Sequence, residues 1–257
     1  MTADTPSMPT HRLNVGNPLV TNETNILDID IPKAMDREID MGIPVLNTLF
    51  TGNGITPGTI TFLTGVAGGG KINLQAQLAD SCTRMGHVAM VNTGEESLYQ
   101  VRRVVRRLNL QHGFIPSYHS NVMDLIKAAE EKKASIGDKD LFLFVDSLQT
   151  LEYTSPKAGR PMGAERQQVQ AMWELAAFAK RTWSQVFVIG QVDKNGDFIG
   201  RNELKHAIDC HLHLDLDTSK KSDTYNQRTI EMTKNRFGAS QLYFTYTIGP
   251  SGLAFEA

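Results

Sequence analysis

The residues Gly65-Val66-Ala67-Gly68-Gly69-Gly70-Lys71 set one lysine behind four glycines in the spacing G-x-x-x-x-G-K. Glycine lets a backbone curl until successive N–H groups converge on one point, and such a concavity suits phosphate oxygens. The segment follows a β-rich stretch, Thr59 to Thr64, and precedes a helix-like one reaching Met85. A phosphate-binding loop requires that context, because the helix N-terminus adds partial positive charge. Lys71 would reach the β- and γ-phosphates of a nucleoside triphosphate, with ATP and Mg²⁺ as the expected ligands. The competing reading is a glycine-rich turn that holds no nucleotide.

The position after the lysine normally carries Ser or Thr, whose hydroxyl ligates the metal. Here it is Ile72, followed by Asn73. An isoleucine offers nothing to a hard cation that wants oxygen. Two outcomes stay open: weak metal binding with slow hydrolysis, or nucleotide binding without turnover. A second acid stands at the end of the apolar run Leu141-Phe142-Leu143-Phe144-Val145-Asp146. Asp146 would hold the metal, directly or through water. Glu95 and Glu96 follow a further apolar strand. Glu95 suits a base that orients the attacking water, and equally a first-turn acid that stabilises the next helix. Gln191 ends the strand Val186 to Gly190, where a polar side chain can sense a γ-phosphate.

The elements that must position these groups alternate. Strands are expected at Thr59–Thr64, His87–Asn92, Leu141–Val145 and Gln185–Ile189, then Cys210–Leu216, Gln227–Thr233 and Gln241–Ile248. Helices are expected up to Met85, at Ser97–Leu108, Val122–Ala134 and Gly163–Thr182. Alternation of this kind predicts an α/β fold with a mostly parallel central sheet and helices on both faces. The late run of strands predicts an antiparallel edge extension. Residues 1–37 are polar and proline-containing, and read as a flexible arm that suits docking on another subunit. Residues 38–257 read as one ATPase domain.

With 26 Lys+Arg against 28 Asp+Glu, the net charge of -2 gives no global footprint for nucleic acid. Contact with DNA must therefore come from local basic patches. Two cysteines without a CxxC pattern indicate neither a zinc site nor a disulfide framework. No apolar run is long enough to span a membrane and no signal pattern opens the chain, so a cytoplasmic protein is expected.

Five segments occur in an order that resembles the ATPase core of the RadA/Sms family, RecA-related proteins of bacterial DNA repair. They are Gly65 to Lys71, Thr93-Gly94-Glu95-Glu96-Ser97, Val145-Asp146-Ser147-Leu148-Gln149-Thr150, Ile189-Gly190-Gln191-Val192-Asp193-Lys194 and Lys234-Asn235-Arg236-Phe237-Gly238. The last is the most specific. The resemblance covers roughly residues 38 to 257 and implies a RecA-like P-loop NTPase core. It implies that Gly65, Gly68, Gly69, Gly70, Lys71, Ile72 and Asn73 bind the nucleotide. Glu95 would be the catalytic glutamate, Asp146 the metal-holding acid and Gln191 the sensor. Lys234 and Arg236 would reach ATP held by a neighbouring subunit. The family's four-cysteine zinc module and Lon-like domain have no counterpart here. The chain thus resembles a stand-alone core of the sort a phage or mobile element carries in a bacterial cell.

RecA-class proteins bind DNA through two loops facing a central channel. The matching segments here are Ser155 to Gln167, with Lys157, Arg160 and Arg166, and Asp193 to His206, with Lys194, Arg201 and Lys205. Cations facing a shared channel would contact single-stranded or branched DNA without sequence preference. The implied protein is an ATP-dependent motor, helicase or recombination accessory, assembled as a ring hexamer or filament, with a recombinase or replication partner. A nucleotide-stabilised scaffold that has lost turnover is the rival that Ile72 favours. A KaiC-like or replicative-helicase-like ATPase shares the core but not the Lys-Asn-Arg-Phe-Gly run.

Overall fold

The computed structural model describes residues 25–94, 96–153, 163–190 and 203–256. The chain divides into two compact units, Met1–Asp30 and Ile31–Ala257. Within the first, Ile26–Asp28 forms a single 3₁₀ turn, and the Leu27 N–H donates to Asn25 Oδ1 at 3.0 Å.

In the second unit the described elements run α1 (Pro44–Phe50), β1 (Ile60–Gly65), α2 (Lys71–Arg84), β2 (Val88–Thr93), α3 (Leu98–Arg107), β3 (Ile115–Ser117), α4 (Val122–Ser135) and β4 (Leu141–Asp146). They continue with α5 (Ala164–Thr182), β5 (Gln185–Ile189), α6 (Glu203–Ala207), β6 (Cys210–Leu216), β7 (Arg228–Asn235), β8 (Leu242–Gly249) and β9 (Gly252–Phe255). One nine-stranded sheet has the order β3-β2-β4-β5-β1-β6-β7-β8-β9. The strands from β3 to β6 pair in parallel, and β6 to β9 pair antiparallel. This is the expected α/β sheet with its antiparallel extension.

A continuous apolar run such as β4 suits a strand covered on both faces. Its side chains alternate accordingly. Phe142 and Phe144 pack with Leu74 and Leu78 of α2, while Leu141, Leu143 and Val145 pack with Leu125 of α4 and Leu175 of α5. Phe144 and Phe187 stack with centroids 5.2 Å apart, which ties β4 to β5. At the end of β5 a Cβ on Gly190 would lie 1.9 Å from Phe62 Cζ. Only glycine lets this strand end lie against β1, where the Gly190 N–H donates to the Leu63 carbonyl at 3.0 Å.

Helix starts follow their caps. Ser97 and Gln100 form a capping box at α3, and Asn121 Oδ1 accepts from the Met123 N–H at α4. One expectation needs correction: the segment Asp193 to His206, read as a loop, runs at its end into the helix α6, whereas Ser155 to Gln167 ends inside α5, where the helix Gly163–Thr182 is expected. Arg166 and Lys205 therefore sit on helices, where a hydrogen-bonded backbone fixes them more firmly than a loop would.

Candidate functional site

The phosphate loop grows out of β1. The Val66 N–H donates to the Leu214 carbonyl at 3.1 Å, extending the pairing of β1 with β6 by one step. The Gly69 N–H then closes a turn on the Val66 carbonyl at 3.0 Å. Gly70 takes φ of 93°, a conformation that costs L side chains of order 1–3 kcal/mol, and so turns the chain into α2. A Cβ there would also lie 2.9 Å from Ile248 Cδ1. The antiparallel extension braces the loop from outside. The Tyr246 hydroxyl donates to the Gly69 carbonyl at 2.7 Å and Arg228 Nη1 to the Gly68 carbonyl at 3.2 Å. A Cβ on Gly68, by contrast, would meet nothing within 4 Å. The loop therefore has one tied side and one open side. The first N–H groups of α2 lack intrahelical acceptors and carry the positive end of its dipole.

Lys71 Nζ donates to the carbonyls of Gly65 at 2.6 Å and Val66 at 3.1 Å, so the ammonium spans its own loop. Burial lowers its pKa, and the charge of Asp146 opposes that shift. The lysine thus senses the carboxylate although β5 separates their strands. Asp146 ends β4 beside Thr93 of β2, and the Gly94 N–H donates to its carbonyl at 3.1 Å. The peptide bond from Asp146 to Ser147 is cis. Ile72, Thr93, Glu96 and Asp146 line one cavity together with Val101 and Val104 of α3. Ile72 thus adds hydrocarbon, and no hydroxyl, to the cavity that Asp146 also lines. The Asn73 carboxamide accepts from Arg107 Nη2 at 2.6 Å, and Arg107 Nη1 donates to the Pro250 carbonyl at 3.2 Å. One arginine of α3 therefore clamps the first turn of α2 to the β8–β9 turn.

Lys234 and Arg236 lie at the other end of the sheet. Arg228, which touches the loop, opens β7, and Lys234 comes six residues later on the same strand. At ~3.4 Å per residue that is roughly 20 Å. Lys234 Nζ donates to the Lys205 carbonyl at 2.5 Å and the Ile208 carbonyl at 2.7 Å, closing the C-terminal end of α6. Arg236 Nη1 lies 3.1 Å from Asp209 Oδ1 and is half exposed. Asp209 is buried and also pairs with Lys180 at 2.7 Å. The Lys-Asn-Arg-Phe-Gly run is folded by its asparagine: Asn235 Nδ2 donates to the Phe50 and Ala239 carbonyls at 2.6 and 3.1 Å. A Cβ on Gly238 would lie 2.3 Å from the Phe50 carbonyl oxygen. The loop, Asp146, Ile72 and Asn73 are thus brought together, while Lys234 and Arg236 are not with them.

Arg166 and Lys205 are exposed. Glu95, Gln191, Lys157, Arg160, Lys194 and Arg201 lie outside the described residues. Sequence reasoning missed Tyr246 and Arg228, because their partnership with the loop arises from strand pairing more than 150 residues away. It also missed a buried polar relay. Thr64 Oγ1 lies 2.7 Å from His211 Nε2 and 2.8 Å from His213 Nδ1, and Thr233 Oγ1 bonds to His211 Nδ1. The H-x-H alternation at 211–213 was the available signal.

Burial, reinforced by the charges of His213, Lys205 and Lys234, lowers the His211 pKa to about 3. Between that value and the ordinary 6.5 the unfolded chain binds a proton that the folded chain refuses. Stability contributed by this site is therefore complete above about pH 6.5 and falls as pH drops, by up to ~1.4 kcal/mol per unit. Urea denaturation between about pH 4.5 and 7.5 is expected to show that slope, and His211→Asn to reduce it. An unaltered slope in the variant would remove His211 as its source.

No family model matches the chain. Among curated proteins it is similar to the DNA repair protein RadA of Chlamydia pneumoniae, 28% identical over 202 residues, which are 79% of this chain and 42% of that protein. RadA of Streptococcus pneumoniae is 28% identical over 79% of this chain and 45% of its own length. RadA of Haemophilus influenzae is 30% identical over 73% of this chain and 38% of its own length. The chain spans less than half the length of each. Among solved structures, a KaiC-like protein from the archaeon Pyrococcus horikoshii superposes with a TM-score of 0.68 at 18% identity, covering 86% of this chain and 99% of that one. At that identity the likeness shows the fold alone. In sequence over most of its length this chain is similar to bacterial RadA, and its fold is that of a RecA-like P-loop protein.

Proposed function

We propose that this chain binds ATP with Mg²⁺ at the seam between two copies of itself and uses hydrolysis to work on DNA, as a motor or recombination accessory in the cytoplasm. The observation that carries this reading is the roughly 20 Å along β7 between the loop-bound Arg228 and the cation Lys234. Lys234 and Arg236 are too far from their own loop to serve it. In a head-to-tail array the same end of β7 comes to the loop of the next copy, and such heterologous contacts build rings or filaments. A cation inserted in this way stabilises charge on a transferring phosphoryl group.

The residues present fit a triphosphate. The loop has an open side, a helix N-terminus and a lysine whose ammonium already donates to two of its carbonyls. Lys71 would exchange its two carbonyl partners for phosphate oxygens. Asp146 would hold the metal, which when bound neutralises charge on the β- and γ-phosphates. Glu95 would orient and deprotonate the attacking water, and Gln191 would report the γ-phosphate to the segment that follows it. Arg166 and Lys205, exposed on α5 and α6, belong to the two segments proposed to meet DNA, where Lys157, Arg160, Lys194 and Arg201 would add cations. Similarity to proteins named for DNA repair supports that partner. Among the described residues no helix is long and apolar enough to cross a membrane.

Ile72 favours a second reading, a nucleotide-held scaffold with little turnover, because it adds hydrocarbon, and no hydroxyl, to the cavity that Asp146 also lines. Phosphate release with and without single-stranded DNA separates the two. DNA-stimulated turnover that declines with added salt is the expected result. Tight ATP binding with no phosphate release in either condition would select the scaffold.

A further inference from the structure

Gln75 stands on α2, one turn after Ile72, and is 3% exposed. Its neighbours Leu74, Leu78 and Ala79 are the apolar residues expected of a core-facing helix. A carboxamide among them is anomalous, and its Oε1 has no hydrogen-bond partner among the described residues. An unsatisfied buried oxygen costs about 1–3 kcal/mol, so its presence calls for a compensating partner. Residues three apart share a helix face, and side chains on a helix lean toward its N-terminus. That geometry lets Gln75 lean back over the turn that holds Lys71 and Ile72. It lines the same cavity as Ile72, Thr93, Glu96 and Asp146.

Resting on the proposed ATP site, we propose that Gln75 replaces the missing hydroxyl, its amide oxygen holding the nucleotide-bound divalent cation through one of the cation's waters, in the cavity that Asp146 also lines. An amide oxygen is a hard donor of the kind Mg²⁺ accepts, and Mg²⁺ sheds its waters reluctantly, so a partner set back by one helical turn matches it better than a direct ligand. The same placement accounts for a buried carboxamide among Leu74, Ala76 and Leu78. Gln75 acts on the cation's shell and is a positioning residue, not a catalytic one.

The test uses the full chain, a non-hydrolysable ATP analogue and Mn²⁺ as a spectroscopic probe. Calorimetry gives analogue affinity in EDTA and with divalent cation, and electron paramagnetic resonance gives Mn²⁺ affinity of the nucleotide complex. Gln75→Leu is expected to leave affinity in EDTA unchanged and to weaken Mn²⁺ binding by about 10-fold or more, the usual effect of losing a group that supports a metal's ligands. Adding Ile72→Thr to Gln75→Leu is expected to restore it. Thermal melting of Gln75→Leu and Gln75→Met checks folding, and neither is expected to melt earlier, since an unpaired oxygen is exchanged for hydrocarbon of similar shape. Equal Mn²⁺ affinity in wild type and both variants overturns the inference while leaving the ATP site standing. Absence of analogue binding to the wild type in EDTA and in Mn²⁺ alike overturns both.

Discussion

A Lys71→Ala chain is expected to bind ATP about 10- to 100-fold more weakly than wild type while keeping its thermal stability. The loss follows from what the ammonium does in the fold. Nζ donates to two carbonyls of its own loop and is half-buried, so it already bears a desolvation cost, seen as a lowered pKa. Phosphate oxygens repay that cost with charge-assisted hydrogen bonds, roughly twice as strong as neutral ones. Alanine removes them and leaves only the backbone N–H groups and the helix dipole. Stability is spared because the loop's shape depends on other bonds: Gly69 to Val66, Tyr246 to Gly69 and Arg228 to Gly68. Calorimetric titration beside a melting curve measures both quantities. Affinity equal to wild type would show that the concavity is not a phosphate site, and a collapse in melting temperature would show that the lysine is structural.

Arg236→Ala is expected to lower ATP turnover about 10³-fold or more, as loss of a cation supplied by a neighbour does in phosphoryl transfer. Nucleotide affinity is expected to change little. The fold should tolerate the change, since Lys180 remains paired with Asp209 after Arg236 is gone. The decisive measurement mixes two inactive chains. Lys71→Ala subunits have an intact Arg236 to lend, and Arg236→Ala subunits have an intact loop to receive it. An equimolar mixture is expected to recover a substantial share of turnover, because some seams then join one good loop to one good arginine. A mixture as inactive as its parts would place Arg236 outside the reaction. The length of β7 makes this experiment informative, because within one chain the two residues are too far apart to cooperate.

Much of the fold was legible because it depends on local pattern. The run Leu141 to Val145 can hardly be anything but a doubly covered strand, and β5 and β6 lie at the residues their apolar or alternating patterns mark. Elements with little pattern escaped. The strand Ile115–Ser117 has three residues and a proline, and β9 has four. The helix Pro44–Phe50 has seven residues, about two turns, too short for a helical period to show, and α6 has only five. Pairing and packing with neighbours hold all four in place, and no single segment carries that information.

By itself the sequence determined the order of loop, acid and distal cations, and the chemistry each is fit for, since side-chain type and backbone freedom are local properties. Tertiary structure decided the distances. Pairing of β6 with β7 sends the Lys-Asn-Arg-Phe-Gly run to the end of the sheet opposite its own loop, and the proposed seam between subunits rests on that separation. Helix packing buries Gln75 at the cavity that Ile72 and Asp146 also line, turning a buried carboxamide into a candidate partner for a metal. Both outcomes depend on which surfaces meet when apolar area is withdrawn from water, and that depends on the whole chain at once.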